Sequence, residues 1–151
     1  MSTEKREEPK VSGELDALWD AAIEQAIGGE TGALDEYVLK YVSDKSISGA
    51  TLKSLGDRLA NLGALDHALK CYLRSLFLDD SQAETWFAAA IVFHHEGQLQ
   101  KAIGHYQVAL VKSPMHPLVH SNLASAYLDG GQAAMAKRHA CTALIFDPVR
   151  I

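Results

Sequence analysis

The sequence predicts an all-α fold in which helical hairpins stack one on the next. Two observations carry that expectation. First, amphipathic helical patterns come in pairs around glycine-bearing breaks. Trp86, Ala89, Ala90 and Phe93 recur at helical spacing, and after Glu96-Gly97 so do Ala102, Ile103, Tyr106, Ala109 and Leu110. Second, small residues return every 34 residues in four ladders. They are Gly56, Ala90 and Ala124; Gly63, Gly97 and Gly131; Ala68, Ala102 and Ala136; and Ser75, Ala109 and Ala143. Larger residues keep the register: Leu59, Phe93 and Tyr127, then Tyr72 and Tyr106, with Ala140 out of step. Asp80, Pro114 and Pro148 close the three units.

The chain opens on a charged stretch, residues 1–11, with too little apolar surface to fold and so expected to be disordered. Residues 12–46 form a hairpin of a different character. Leu15, Leu18, Trp19, Ala22, Ile23, Ala26 and Ile27 make one apolar stripe, broken by Gly28-Gly29. Leu34, Tyr37, Val38, Tyr41 and Val42 make the next. This hairpin reads as one that has lost the small-residue ladders, either a decayed repeat or, by preference, a cap that shields the first face of the stack. Trp19 is expected in its core.

A polar connector follows, with Ser48 placed to cap a helix beginning near Ala50. The three regular hairpins then occupy 49–82, 83–116 and 117–150 within 47–151. Small residues are needed at fixed positions because helices approach to about 8–10 Å only where contact side chains are small. Gly56, Ala90 and Ala124 would meet Ala68, Ala102 and Ala136 inside each hairpin, and Ser75, Ala109 and Ala143 would admit the next hairpin. Gly97 is free to take the left-handed conformation that ends a helix, and Pro117 suits a first helical turn.

Composition narrows the function. The chain has 151 residues, 48% of them apolar, and a net charge of −5 with pI near 5.7. Arg58, Arg74 and Lys112 look scattered and no basic stripe is evident, so nucleic acid is not expected as a partner. The longest apolar run, Trp86 to Phe93, falls far short of the roughly 20 residues of a membrane span. The N-terminus lacks an apolar secretory core, which points to the cytoplasm. Cys71 and Cys141, too far apart for a disulfide, read as packing thiols.

No catalytic constellation is visible: no glycine-flanked serine, and no glycine loop with the lysine that cradles phosphate. His94 and His95 are adjacent and diverge by about 100° on a helix. His116 and His120 are four apart, but His116 precedes Pro117 and falls outside the helix. Neither set gains a cysteine or carboxylate at a metal-site spacing. No enzyme, cofactor or metal site is expected.

The 34-residue ladders over Gly49 to Pro148 resemble the tetratricopeptide repeat. The resemblance implies a right-handed α-solenoid whose first helices line a concave groove for an extended or helical segment of a partner protein. The groove-facing positions it implies are Lys53, Asp57, Ala60 and Asn61; Phe87, Ile91, His94 and His95; and Leu118, Ser121, Asn122, Ser125 and Leu128. Exposed together, Phe87 and Ile91 would form a binding hot spot; the alternative is that both are buried. Lys53, Asn61 and Asn122 faintly match the subfamily that grips a C-terminal carboxylate, but Asp57 would repel one. The chain ends three residues after Pro148, without the extra helix many such arrays carry. Part of the last helix's apolar face is thus expected to be exposed or covered, which makes a homodimer through one end of the stack a candidate.

A narrower resemblance is to the small bacterial type III secretion chaperones of translocator proteins. It rests on Gly28-Gly29, Ile47-Ser48, Thr51-Leu52, Leu55, Trp86-Phe87, Ala102-Ile103, Tyr106 and Pro117. It implies a client-holding groove and dimerisation through N-terminal helices. Ala88-Ala89-Ala90 departs from the Leu-Gly pair usual there. The function expected is therefore an adaptor or assembly factor, with a secretion chaperone as the alternative.

Overall fold

The computed structural model describes residues 13–146, with side chains from Trp19 onward. All the described secondary structure is helical: α1 (Gly13–Ile27), α2 (Gly32–Ser43), α3 (Gly49–Asn61), α4 (Leu65–Leu78), α5 (Ala83–His95), α6 (Leu99–Lys112), α7 (Pro117–Asp129) and α8 (Ala133–Phe146). The N-terminal tail expected to be disordered and the closing Pro148 lie outside the described residues. The chain divides into two units, one ending at Asp44 and the other beginning at Lys45.

In the first unit α1 pairs with α2. The Trp19 and Tyr37 rings meet at 5.3 Å, and Tyr37 meets Tyr41 at 4.8 Å. Trp19, Ala22, Leu34, Tyr37, Val38 and Tyr41 are buried, as their apolar spacing predicts, whereas Ile27, the last residue of α1, is exposed. The expectation that this hairpin had lost every ladder needs correction. Ala22 and Gly29 stand one 34-residue period before Gly56 and Gly63. Gly29 has φ +90°, like Gly63 (+80°), Gly97 (+74°) and Gly131 (+76°). The turn chemistry of a repeat therefore persists here, while Leu34 and Tyr41 have replaced the small residues of the other two ladders.

In the second unit α3 pairs with α4, α5 with α6 and α7 with α8, while α4 packs on α5 and α6 on α7. The intra-hairpin turns are three copies of one device. Gly63 N–H donates to Ala60 O and Ala64 N–H to Leu59 O; Gly97 to His94 and Gln98 to Phe93; Gly131 to Leu128 and Gln132 to Tyr127. Each pair of bonds satisfies carbonyls that the helix end leaves open, and the positive φ they require favours glycine. Ser48 caps α3 by accepting from Thr51 N–H, and Pro117 opens α7.

The ladders have the packing role their size implies. A methyl group added at Gly56 would lie 2.6 Å from Cε1 of Tyr72, so the Tyr72 ring lies directly on the α3 backbone. Its hydroxyl donates to Asp57 Oδ1 at 2.7 Å. Burial, and then the hydrogen bond to that carboxylate, push the Tyr72 phenol well above its ordinary range. Ser75 does more than leave room: its Oγ donates to Gly49 O at 2.6 Å and ties α4 to the first residue of α3. One core cluster runs through the second and third hairpins, where Phe87, Phe93, Ile103, Tyr106, Leu123 and Tyr127 meet.

Two sequence expectations divide at the thiols. Cys71 is a packing thiol, and burial pushes it up to about 12. Cys141 is exposed, because it lies on a side of α8 that no described element covers. Leu144, Ile145 and Phe146 are exposed on the same helix, as anticipated for part of its apolar surface. Between α7 and α8 the His120 and His139 rings stack at 5.4 Å with their Nδ1 atoms 3.1 Å apart. His120 Nε2–H donates to Pro114 O. Burial first, then His120 and Arg138, hold His139 below its ordinary value of 6.5.

Two measurements follow from this packing. Gly56→Ala is expected to lower the stability in urea unfolding by about 1–2 kcal/mol, overpacking outweighing the better helix propensity. Gly104→Ala, in a helix interior with nothing within 4 Å of the added carbon, is expected to raise it by about 0.5–1 kcal/mol. In the second, pH is varied. Because the fold favours neutral His139, its contribution is fully present above pH 6.5 and is lost as pH falls through the lowered folded value. Unfolding curves between pH 7.5 and about 5 should therefore show a shallower acid loss for His139→Gln than for the wild type.

Candidate functional site

The first helices α3, α5 and α7 carry the groove positions, and the second unit brings four of them into one hollow. Ile91, His94 and His95 of α5 and Asn122 of α7 line a pocket of about 440 Å³ with Tyr106 and Asp129. The hollow lies between adjacent first helices, with the Tyr106 ring from α6 against the His94 edge at 6.2 Å. His94 Nε2 is 2.7 Å from Asp129 Oδ2, and its Nδ1 is 3.4 Å from the Tyr106 hydroxyl. With the hydrogen on Nε2, the ring donates to Asp129 while Nδ1 accepts from Tyr106. At the opposite end of the same helix pair, His116 Nε2 lies 2.8 Å from Glu84 Oε1. Thus α5 and α7 are bridged at both ends by a histidine and a carboxylate, and the hollow opens between the bridges.

Phe87 is the chief correction. It is 9% exposed, with its ring 6.0 Å from Tyr106 and 5.4 Å from His116. It is a core anchor and not half of an exposed hot spot. The reason is position along the helix: Phe87 lies one turn before Ile91 on the same face, where His116 and Tyr106 cover it. Ile91 is exposed at 37% and lines the hollow, whereas Leu128, exposed at 63%, is not among the residues that line it. Leu118 is half-buried against the core, and Ser121 and Ser125 are exposed.

The first hairpin's contribution is polar and internally balanced. Lys53 Nζ lies 2.6 Å from Asp57 Oδ2, and Tyr72 holds the other carboxylate oxygen. Lys53 is therefore paired within its own helix, and Asp57 is engaged on both oxygens. Asn61 is exposed and Ala60 half-buried nearby. Lys53 and Ser54 also line a second hollow of about 410 Å³, with Ser75, Asp79, Gln82, Glu84 and Thr85. There Ser81 donates to Asp79 through its backbone and its hydroxyl, which holds the Asp79 carboxyl below its usual range.

Two groove residues escaped sequence reading. Tyr106 was legible only as core, which it also is, and Asp129 was not singled out. The available signal was spacing: Asp129 lies one repeat and one residue beyond His94, where a helix end of the next hairpin comes level with it. Among the described residues no group of three or more histidine, cysteine, aspartate or glutamate side chains is arranged to hold a metal. No described helix is long and apolar enough to cross a membrane.

No family model matches the chain. A curated relative, the probable biofilm formation methyltransferase WspC of Pseudomonas putida, is 33% identical over 81 residues, covering 54% of this chain and 19% of the relative. The chain thus spans about a fifth of the length of that relative. Among solved structures, the first tetratricopeptide domain of Spaghetti bound to the HSP90 peptide SRMEEVD superposes with TM-score 0.66 at 18% identity, over 67% of this chain and 80% of that one. MamA superposes with TM-score 0.68 at 18% identity, over 90% and 80%. YrrB, described as a tetratricopeptide protein with an unusual peptide-binding site, superposes with TM-score 0.70 at 18% identity, over 93% and 72%. The chain has the tetratricopeptide-repeat fold.

The bridges and the core beneath them differ in weight. The pairing of His94 with a half-exposed Asp129 should contribute no more than about 1 kcal/mol. Truncating buried Phe87 should cost about 3–5 kcal/mol. A double-mutant cycle of His94→Ala with Asp129→Ala, set beside Phe87→Ala in urea unfolding, should return that order.

Proposed function

We propose that this chain is a protein-interaction module, acting as an adaptor or assembly factor, whose groove holds a segment of a partner polypeptide. One observation carries the reading. Between α5 and α7 an open hollow joins apolar Ile91 to unsaturated polar capacity on His95, Asn122 and Asp129. Such a mixture suits a peptide, which brings both side chains to bury and backbone groups to satisfy. Spaghetti and YrrB, which share the fold, are described as peptide binders, and that supports the same use here. The small size of the hollow fits one or two anchoring side chains and not the whole of a folded surface. The groove is not built for an acidic C-terminus. Lys53 is already paired with Asp57, and the remaining groove side chains of α5 and α7 supply no lysine or arginine. A methyltransferase role would need the rest of a protein like WspC, of which this chain corresponds to a small part. Cytoplasmic residence is part of the proposal.

Ile91→Asp and Leu128→Asp place charge on exposed apolar positions and should leave the circular dichroism spectrum unchanged. In a tagged pull-down from cells that naturally express the chain, these variants should lose the proteins captured by the wild type. With a captured segment in hand as a synthetic peptide, each should weaken binding by more than about 1 kcal/mol, or roughly fivefold. Equal capture and equal affinity would rule the groove out.

A further inference from the structure

The second helices carry a surface that the groove does not use. Phe77 on α4, Val111 on α6 and Ile145 on α8 occupy one repeat position on three successive hairpins, and all three are exposed, at 79%, 78% and 74%. A single exposed apolar side chain is ordinary. Three at the same register make an apolar row, because the repeat superposes each second helix on the next.

Charge is sorted onto the same helices. Within α4, α6 and α8 stand Lys70, Arg74, Lys101, Lys112, Lys137 and Arg138 against one acid, Asp66, while Asp79 and Asp80 follow α4 directly and Asp79 interacts with Lys112. The whole chain has 14 basic and 19 acidic residues, so these three helices run opposite to its balance. Of the three basic residues read as scattered, Arg74 and Lys112 lie on second helices, whereas Arg58 lies on α3. Lys70 lies two turns before Phe77, and Arg138 two turns before Ile145, on the same helix faces. The Arg74 guanidinium sits 5.1 Å over the Phe77 ring.

We infer that this outer row is a docking surface for an acidic amphipathic helix of another protein. Charge complementarity selects the occupant. The row offers apolar contacts flanked by cations, so a helix with an apolar stripe edged by Asp and Glu matches it in both respects. A helix fits better than an extended strand because the side chains on the row stand apart on separate helices and present no open backbone edge. The surface acts independently of the peptide groove.

The probe is a fluorescein-labelled synthetic helix of about four turns, with leucine on one face and glutamate elsewhere. Its control carries lysine in place of glutamate. Fluorescence anisotropy should show the glutamate helix binding the full chain, with affinity falling as salt rises, and the lysine helix failing to bind. Phe77→Ser with Val111→Ser, and separately Lys70→Glu with Arg138→Glu, should each weaken binding by about tenfold or more. All four positions are exposed, and circular dichroism should show both variants folded. Ile91→Asp, in the groove, should leave this affinity unchanged. The inference is overturned if the lysine helix binds as well, if the row variants bind normally, or if Ile91→Asp abolishes binding. It is also overturned if the glutamate helix shows no binding up to about 100 µM. Row-dependent binding to phosphatidylserine vesicles without binding to the glutamate helix would assign the surface to membranes instead.

Discussion

The second unit depends on how closely two helices can approach where an aromatic ring meets a small residue. Tyr72 lies on Gly56 with no room for a methyl group between them. With the ring in place, its hydroxyl reaches Asp57, and Asp57 in turn holds Lys53. A packing constraint in the core thus determines the charge arrangement on the surface of α3. The next hairpin repeats the plan with different chemistry. Ala90 takes the place of Gly56, Tyr106 is again buried, and its hydroxyl faces His94 instead of a carboxylate. In the third hairpin Ala140 stands where the tyrosine would be, and that site on α8 is exposed.

This gradient along the array explains where the groove forms. Around Asp57 the polar groups are satisfied within the first hairpin. Between α5 and α7 the His94–Asp129 bridge leaves Asn122 and His95 available around exposed Ile91. The bridges at the two ends of this helix pair set its rim, but the core under Phe87 and Tyr106 sets its floor. The floor dominates because burial of aromatic side chains outweighs half-exposed ion pairs several-fold.

Regular features were legible in the sequence because they come from local rules. Gly63, Gly97 and Gly131 mark turns whose backbone requires positive φ, and Ser48 and Pro117 mark helix starts. Small residues 34 apart mark close contacts. What was not legible depended on position along a helix and on partners from other elements. Phe87 and Ile91 are four residues apart on one face, yet partners from α6 and from the start of α7 cover the first and leave the second open. Lys53 and Asp57 are opposing influences in the sequence pattern, whereas in the fold they neutralise one another. Gly29 is legible as a break but not as a member of the glycine ladder, because the larger residues around it have changed.

Each hairpin of the second unit is held first by its own interior, where its two helices pack face to face, and its neighbours add to that hold. Native-state hydrogen exchange, read helix by helix, tests this most directly. Slowest exchange is expected in α5 and α6, whose hairpin has a described hairpin on either side, and faster exchange toward α8. Uniform protection across the unit, or slowest exchange in α8, would contradict it.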